Sequence, residues 1–163
     1  MKLFEPITKE SIIDEIDRIC NTTNNSYKTK DKIARVNEAL DQYWFLAAEA
    51  APQGTLDDTS KTSAPIETQN IVSGTNAYKI SSFTNKVLQI LRVSVLDDDG
   101  LEHDLTYIDF DDIDDFDEFF DTAVTGIPEY WTKLGDYIYI ANCPDYSETN
   151  GLRCYVNREL SKF

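Results

Sequence analysis

Carboxylates are the one class of side chain in this sequence that is dense enough to support chemistry. Residues 109–121, the acidic segment, contain eight acids and no base. Such a run could hold a cation, or it could supply the acid and the base of a hydrolase. A calcium loop of the EF-hand type needs a central glycine and a glutamate at its last position, and the segment has neither where they are required. The acids are therefore predicted to form a solvated surface rather than a metal site or a catalytic pair.

The other residues that could do chemistry are too isolated to form an active site. His103, the sole histidine, lies in a predicted strand, and the sequence has no nucleophile elbow, glycine-rich phosphate loop or His-Glu-x-x-His helix. Cys20, Cys143 and Cys154 contain no Cys-x-x-Cys pair, so we expect small buried apolar residues rather than zinc ligands. The sequence predicts a protein that is not an enzyme and that uses no cofactor or metal.

Charge narrows the class of partner. The net charge is −15, and residues 93–152 hold seventeen acids against one base, Lys133, so the rest of the chain sums to about +1. An acidic surface of this size repels phosphate, which argues against sequence-specific nucleic-acid binding and against anionic membranes. No apolar run approaches the roughly 20 residues that cross a bilayer, and the first residues lack the apolar core of a signal peptide. We expect a soluble protein made in a cytoplasm.

Apolar spacing predicts three regions along the chain. Residues 1–51 read as a helical hairpin, with Thr8 capping the first helix and the second helix starting near Thr29. Residues 52–66 are polar and read as an extended docking loop that orders only against a neighbouring subunit, with Leu56 as its apolar anchor. Residues 67–163 follow as a β-sandwich domain. At 163 residues and 41% apolar content, the chain is long and hydrophobic enough to fold as one structural unit.

After residue 67 the spacing of the apolar residues changes from the spacing typical of a helix to that typical of a strand. Residues on either side of Gly74 predict a short hairpin, Val87–Leu96 predicts a long strand, and residues 97–100 and 133–136 are turn signals. Further strands are expected through residues 101–108, 130–131, 137–141 and 152–158. About seven strands predict an antiparallel sandwich or barrel, and with the helices an α+β fold. The acidic segment is predicted to be a short inserted amphipathic helix, with its apolar stripe formed by Phe110, Ile113, Phe116 and Phe120.

The alternation of tyrosine and isoleucine along one predicted strand bears on whether the protein is an assembly subunit or a monomeric binding module. Tyr137 and Tyr139 share one strand face while Ile138 and Ile140 share the other, so both faces are apolar enough to be covered. An assembly subunit would cover the tyrosine face with a neighbouring subunit or with its own helices. The alternative is a monomeric β-sandwich binding module with an exposed aromatic platform made of Trp131, Tyr137, Tyr139 and Tyr155.

A series of turn-and-strand motifs follows in a distinctive order along the chain. They are residues 36–40 (Val-Asn-Glu-Ala-Leu), 56–59 (Leu-Asp-Asp-Thr), 65–78 (Pro-Ile-Glu-Thr-Gln-Asn-Ile-Val-Ser-Gly-Thr-Asn-Ala-Tyr), 92–100 (Arg-Val-Ser-Val-Leu-Asp-Asp-Asp-Gly), 126–131 (Gly-Ile-Pro-Glu-Tyr-Trp), 144–146 (Pro-Asp-Tyr) and 151–153 (Gly-Leu-Arg). In this order and spacing the chain resembles the small head-to-tail connector (adaptor or neck ring) proteins of tailed bacteriophages. The match covers most of the chain. One departure is residues 142–144, where such proteins tend to carry a second proline two residues earlier.

The resemblance implies a virion structural subunit. Many copies, a dodecamer by resemblance, would form a ring below the portal protein that joins capsid to tail, after assembly in the host cytoplasm. The helices and loops would dock on the portal or on neighbouring neck and tail proteins, and the β-domain would line or surround a channel through which DNA passes without specific binding. The alternative positions are a stopper or a tail-side neck ring.

Two sets of site residues are expected on this interpretation. The oligomer or partner interface is predicted to include Leu56, Asp57, Asp58, Tyr137 and Tyr139. The acids predicted to face the channel are Asp111, Asp112, Asp114 and Asp115. Carboxylates on a channel wall would let DNA slide because they repel phosphate, and the alternative is that they only keep the protein soluble.

Overall fold

The structure is a computed structural model that describes residues 11–50, 57 and 61–162. The chain divides into two compact units, a helical unit within Met1–Ala51 plus Leu160–Phe163 and a β-unit within Pro52–Glu159. The presence of helices together with two mainly antiparallel sheets confirms the predicted α+β class. None of the helices in the described ranges is long and apolar enough to cross a membrane.

The first helix, α1 (Ile12–Cys20), begins at a capping box. The Ser11 hydroxyl accepts a hydrogen bond from the Asp14 N–H at 3.2 Å, and the Asp14 carboxylate accepts one from the Ser11 N–H at 3.3 Å. The helix ends at Asn21, whose φ of 49° is the left-handed conformation that ends many helices. The predicted cap, Thr8, lies outside the described residues, and Ser11 is the cap of α1.

The second helix, α2 (Thr29–Ala50), is tied to α1 by a partly buried ion pair. Lys32 Nζ lies 2.5 Å from Asp17 Oδ1, and the Lys32 side chain is fully buried. Thr22 Oγ1 donates to the same carboxylate oxygen at 2.6 Å. The hydrogen bonds from Lys32 and then Thr22 hold the pKa of Asp17 below its ordinary value. This pair links the two helices as a hairpin would require, and the hairpin arrangement itself stays a prediction.

In the described residues of the β-unit, eight strands form two four-stranded sheets. They are β1 (Ile66–Ile71), β2 (Ala77–Lys79), β3 (Val87–Leu96), β4 (Glu102–Asp104), β5 (Thr106–Tyr107), β6 (Tyr130–Leu134), β7 (Tyr137–Ala141) and β8 (Glu148–Arg158). The first sheet has the order β1-β8-β3-β4 and is antiparallel throughout. The second sheet has the order β2-β7-β6-β5, and its β5–β6 pair is parallel. The short parallel pair departs from the fully antiparallel expectation.

Apolar side chains from both sheets form one buried core. Ile138 and Ile140 of β7 are fully buried, and so are Val93 and Val95 of β3. The core also contains Ile71, Tyr78, Phe83, Leu105, Trp131, Leu152, Cys154 and Val156. Burying one such side chain contributes about 1.5–3 kcal/mol relative to leaving it in water, so this core is the main stabilising feature of the unit. The inward face of β7 is the isoleucine face, as the alternation predicts.

The predicted hairpin around Gly74 is wrong. Ile71 ends β1 in the first sheet, whereas Tyr78 lies in β2 of the second sheet. Gly74 adopts a φ of 78° in the connection and donates its N–H to the Pro144 carbonyl at 2.9 Å. Ile71 and Tyr78 are both buried in the shared core, and the chain therefore crosses between the sheets instead of folding back within one.

The strand predicted over residues 101–108 also divides between the sheets. β4 pairs with β3 in the first sheet, and β5 pairs with β6 in the second. Leu105 lies between them, buried in the core, and donates its N–H to the Val93 carbonyl at 2.9 Å. Two other predictions are confirmed, because β3 has the predicted bounds and β6 and β7 form a hairpin whose turn contains Gly135 at a φ of 59°.

The helix predicted over the acidic segment is broken into two short turns. A 3₁₀ turn spans Phe110–Asp112, and a helix, α3, spans only Phe116–Phe119. Asp115 caps α3, because its carboxylate accepts hydrogen bonds from two backbone N–H groups of the first turn at 3.0 and 3.1 Å. Aspartate favours such caps over helix interiors, and carboxylates three or four residues apart repel one another. These two effects explain why the helix stops early.

A buried hydroxyl in β6 predicts a stabilising substitution. Thr132 is fully buried, and its Oγ1 has no hydrogen-bond partner within the described residues. We expect T132V to raise the free energy of unfolding by about 1 kcal/mol, measured by urea denaturation, because it removes an unsatisfied buried polar group. The control is T149V at an exposed threonine of β8, which should change stability by less than about 0.5 kcal/mol. A destabilised T132V would show that the hydroxyl is satisfied, for example by a buried water.

Candidate functional site

Most of the acids predicted to face a channel meet at one groove on the β-unit. The groove has a volume of about 540 Å³. Its acids are Asp112, Asp114, Asp115, Glu118 and Glu129. Asp111, the fourth predicted acid, is exposed but does not line the groove. We refer to this site as the acidic groove, and whether its acids face a DNA channel stays a prediction.

Apolar side chains line the same groove, and the sequence prediction missed them. Phe119 and Tyr130 are each 37% exposed, and Val124 is 53% exposed. Phe119 lies off the helical stripe that the acidic segment was predicted to form, so a helical pattern gives it no role. The signal that could have found it is the pair of adjacent phenylalanines at residues 119 and 120, which cannot both face the core of a helix.

An aromatic cluster holds the acidic segment on the outer face of the second sheet. The rings of Phe116 and Tyr139 meet edge to face with centroids 4.9 Å apart, and Phe120 lies 5.8 Å from Tyr139. Phe119 lies 5.9 Å from Tyr130 of β6. Each aromatic contact contributes about 0.5–1.5 kcal/mol beyond the area that it buries. The acids are thus presented from a fixed backbone rather than from a loose loop.

Among the residues that the structure describes, no basic side chain pairs with the acids of this part of the surface. Lys133 is the only lysine or arginine in residues 93–152. Within the described part of the chain, none of the nine acids in residues 109–129 forms an ion pair. Acids elsewhere in the β-unit do find partners, as Glu102 does with Arg92 at 3.2 Å. The groove therefore combines unpaired negative charge with partly exposed apolar side chains.

The two tyrosines predicted at an interface have different surroundings. Tyr139 is half-buried beneath Phe116 and Phe120, whereas Tyr137 is exposed. The aromatic platform of a binding module is not assembled, because Trp131 is buried in the core and the Arg92 guanidinium lies 4.2 Å above the Tyr155 ring. The acidic segment covers part of the tyrosine face, and an interface role for Tyr137 and Tyr139 stays a prediction.

The predicted docking loop is partly anchored within its own unit. Arg158 of β8, only 1% exposed, donates two hydrogen bonds to the Asp57 carboxylate at 2.9 and 2.6 Å. The same guanidinium also contacts the Ser63 hydroxyl at 3.0 Å and its carbonyl at 2.9 Å. The expectation that this loop orders only against a neighbouring subunit is therefore wrong for Asp57 and Ser63. The other two predicted interface residues, Leu56 and Asp58, lie outside the described residues.

A second polar cluster joins three strands of the first sheet through Glu102. Its carboxylate accepts hydrogen bonds from the Ser94 hydroxyl at 2.6 Å, the Tyr155 hydroxyl at 3.0 Å and the Arg153 guanidinium at 3.1 Å. The Ser94 hydrogen bond, more than the others, holds the pKa of Glu102 below its ordinary value. Every polar group of the cluster is satisfied by a neighbour, so this is a structural network that ties β4 to β3 and β8.

His103 forms a turn-stabilising pair with Asp97. Its Nε2 lies 2.7 Å from Oδ2 of Asp97, and Oδ1 of Asp97 accepts the backbone N–H groups of Leu101 and Asp99 at 2.8 and 3.0 Å. The hydrogen bond from His103, followed by that from Leu101, holds the pKa of Asp97 below its ordinary value of 3.8. The pair fixes the turn between β3 and β4.

The cysteines and the acids of the described residues offer no metal centre. Cys143 and Cys154 are buried as predicted, and burial raises the pKa of Cys154 to about 12, far from a reactive thiolate. Cys20 is exposed at the end of α1, so its predicted burial is wrong. Among residues 11–50, 57 and 61–162, no group of three or more histidine, cysteine or acidic side chains is placed to hold a metal ion.

No protein-family model matches the chain, and no curated protein matches its sequence. The acidic groove is the candidate site, because its carboxylates lack ion-pair partners within the described residues.

The buried Arg158 predicts the effect of removing its loop partner. We expect D57A to lower the free energy of unfolding by about 2 kcal/mol, because it removes a bidentate carboxylate from a guanidinium that stays buried. Chemical denaturation measures the change. The control, D99A, removes an exposed acid of the β3–β4 turn and should change stability by less than about 0.5 kcal/mol. Equal stability of D57A and the parent would show that the pair contributes nothing to folding.

Asp97 predicts a specific dependence of stability on pH. A folded-state pKa below the ordinary value of 3.8 means that the ionised carboxylate stabilises the fold above that pH and that this contribution disappears as pH falls through the folded pKa. We expect D97N to be less stable than the parent at neutral pH and the difference to shrink as the solution is acidified below about pH 4. Urea denaturation across this range measures it, with D98N as the exposed control. A difference that is constant with pH would exclude the ionised Asp97 carboxylate as its cause.

Proposed function

We propose that this chain is a virion structural protein, a subunit of the head-to-tail connector ring that lies below the portal of a tailed bacteriophage. Two lines of support combine. The first is the order of turn-and-strand motifs that the chain shares with such connectors. The second is the organisation of the chain as a helical unit and a β-sandwich unit, each with apolar side chains left at its surface. In the proposed adaptor, the helical unit docks on the portal or a neighbouring ring and the β-unit surrounds the DNA channel.

One observation carries the proposal, and it is the apolar surface near the end of α2. Tyr43 is 65% exposed, and Phe45 and Leu46 are each 62% exposed. Scattered apolar residues are normal on a protein surface, but Tyr43 and Leu46 lie three positions apart on one face of α2 and form an apolar patch of the kind that marks protein–protein contacts, whereas Phe45 projects from another face of the helix. Burial of this patch against a second protein would stabilise an assembly more than an isolated chain.

The acidic surface of the β-unit is compatible with passing DNA. Exposed carboxylates repel phosphate, whereas lysine and arginine would hold it, so a wall of acids allows a duplex to slide. Asp111 and the acids of the groove are exposed and lack ion-pair partners within the described residues. A stopper or tail-side ring would use the same surfaces, and only the adaptor would bind the portal protein directly. The competing binding-module function lacks its aromatic platform, since Trp131 is in the core.

The proposal predicts how the chain assembles. We expect the isolated protein to fold but to associate weakly at low salt, because acidic segments of neighbouring copies repel one another, and to associate more at high salt. Sedimentation velocity measures this. Co-expression with the portal protein of the same virus should yield a complex large enough to be a ring. A monomer at every salt concentration that also fails to bind the portal would contradict the proposal.

Two equally exposed leucines provide a test variant and a matched control for the proposed contact between α2 and the portal protein. Leu46 on α2 and Leu101 in the β3–β4 turn are each 62% exposed. We expect L46S to weaken portal binding about tenfold, whereas L101S should leave it within about twofold of the parent. If L101S weakened binding as much as L46S, the apolar patch of α2 would not be the docking surface.

A further inference from the structure

We propose that the acidic groove is a docking site for a basic segment of a partner protein, one in which lysines or arginines flank a large apolar side chain. This inference does not depend on the connector role, because it concerns a surface of the β-unit that can be tested in the isolated chain. It assigns the groove an attractive partner, whereas a channel wall would need only repulsion.

The charge of the groove selects the sign of the partner. Asp112 and Asp114 make no side-chain hydrogen bond or ion pair within the described residues, and Glu118 and Glu129 likewise have no ionic partner there. Four carboxylates around one depression repel each other at low ionic strength, and a cationic partner relieves this repulsion. Nucleic acid would add to the repulsion instead.

The apolar lining of the groove favours a basic peptide segment over a bare cation as the partner. Phe119, Val124 and Tyr130 remain partly exposed between the acids, so a bare cation would leave them in water. The acids are also not placed to converge on a metal ion. A peptide segment meets both requirements, because an apolar side chain can cover these residues while flanking lysines or arginines reach the carboxylates.

Two side chains of the groove, Phe119 and Asp115, are held by neighbouring groups. The Phe119 ring packs against Tyr130 in a tilted contact and against Phe120 edge to face, with centroids 5.9 and 5.1 Å apart, so Phe119 is held against β6. Asp115 is committed to capping α3 and is the groove acid least able to turn toward a ligand. The acids assigned to contact the partner are therefore Asp112, Asp114, Glu118 and Glu129.

The proposal is tested by selecting ligands from a peptide library. A library of random short peptides is selected on the full chain, and the enriched sequences are synthesised and titrated by calorimetry. We expect lysine or arginine on both sides of a large apolar residue, and an affinity that falls as salt is raised. D112N/D114N should weaken binding about tenfold, whereas D98N/D99N, which removes two exposed acids from the β3–β4 turn, should stay within about twofold. V124S should weaken binding about threefold without changing its salt dependence.

Several results would overturn the proposal. Selection that enriches no basic residues would exclude a cationic partner. If D98N/D99N weakened binding as much as D112N/D114N, only the overall charge of the protein would matter, not the groove. A V124S variant that binds like the parent would remove the apolar contact. Self-association of the chain that is lost in D112N/D114N would assign the groove to a second copy instead of a partner protein. Because circular dichroism and urea denaturation of each variant report folding separately, loss of binding is not confused with loss of structure.

Discussion

The structure depends on the apolar contact between its two sheets. Ile138 and Ile140 are buried in a core that also contains Val93 and Val95 of the opposite sheet. Successive side chains of a strand point to opposite faces, so a slip of one residue in β7 would replace the isoleucines in the core by tyrosines such as Tyr139. Each buried isoleucine contributes about 2 kcal/mol, and the register of β7 is therefore set by the core as well as by the hairpin turn that precedes it.

Once β7 is fixed, its tyrosine face is left outside the core, and the acidic segment covers the part of that face around Tyr139. Phe116 and Phe120 pack on Tyr139, with about 0.5–1.5 kcal/mol from each aromatic contact beyond burial. A like-charge pair three or four residues apart on a helix costs about 0.2–0.5 kcal/mol. The aromatic contribution is the larger, so the segment stays on the sheet despite its eight acids. Repulsion shows instead in the local structure, where a capped turn replaces a continuous helix.

Sequence patterns predicted where strands and turns lie better than they predicted which strands and side chains pair with one another. The bounds of β3 and the β6–β7 hairpin follow from local alternation and turn residues, which the sequence contains in full. The crossing at Gly74 depends on which sheet buries each flanking side chain, and no local pattern encodes that. Arg158 and Asp57 are 101 positions apart, so their pairing has no local signal either. In the candidate site the acids are visible in the sequence, whereas Tyr130 and Glu129 reach the groove only through the fold of β6.

The acidic groove combines carboxylates with apolar side chains, and this combination limits the kind of partner surface that can bind there. A purely apolar partner would bury the carboxylates of Asp112 and Asp114 without compensating charge, which costs several kcal/mol for each desolvated ion. A bare cation would leave Phe119 exposed. Only a surface with positive charge around an apolar residue satisfies both conditions, and a groove filled by such a surface cannot at the same time be a channel wall. In a connector ring, the groove would then belong to a contact between proteins, and Asp111, exposed outside it, would be the acid of the predicted set that remains available to the channel.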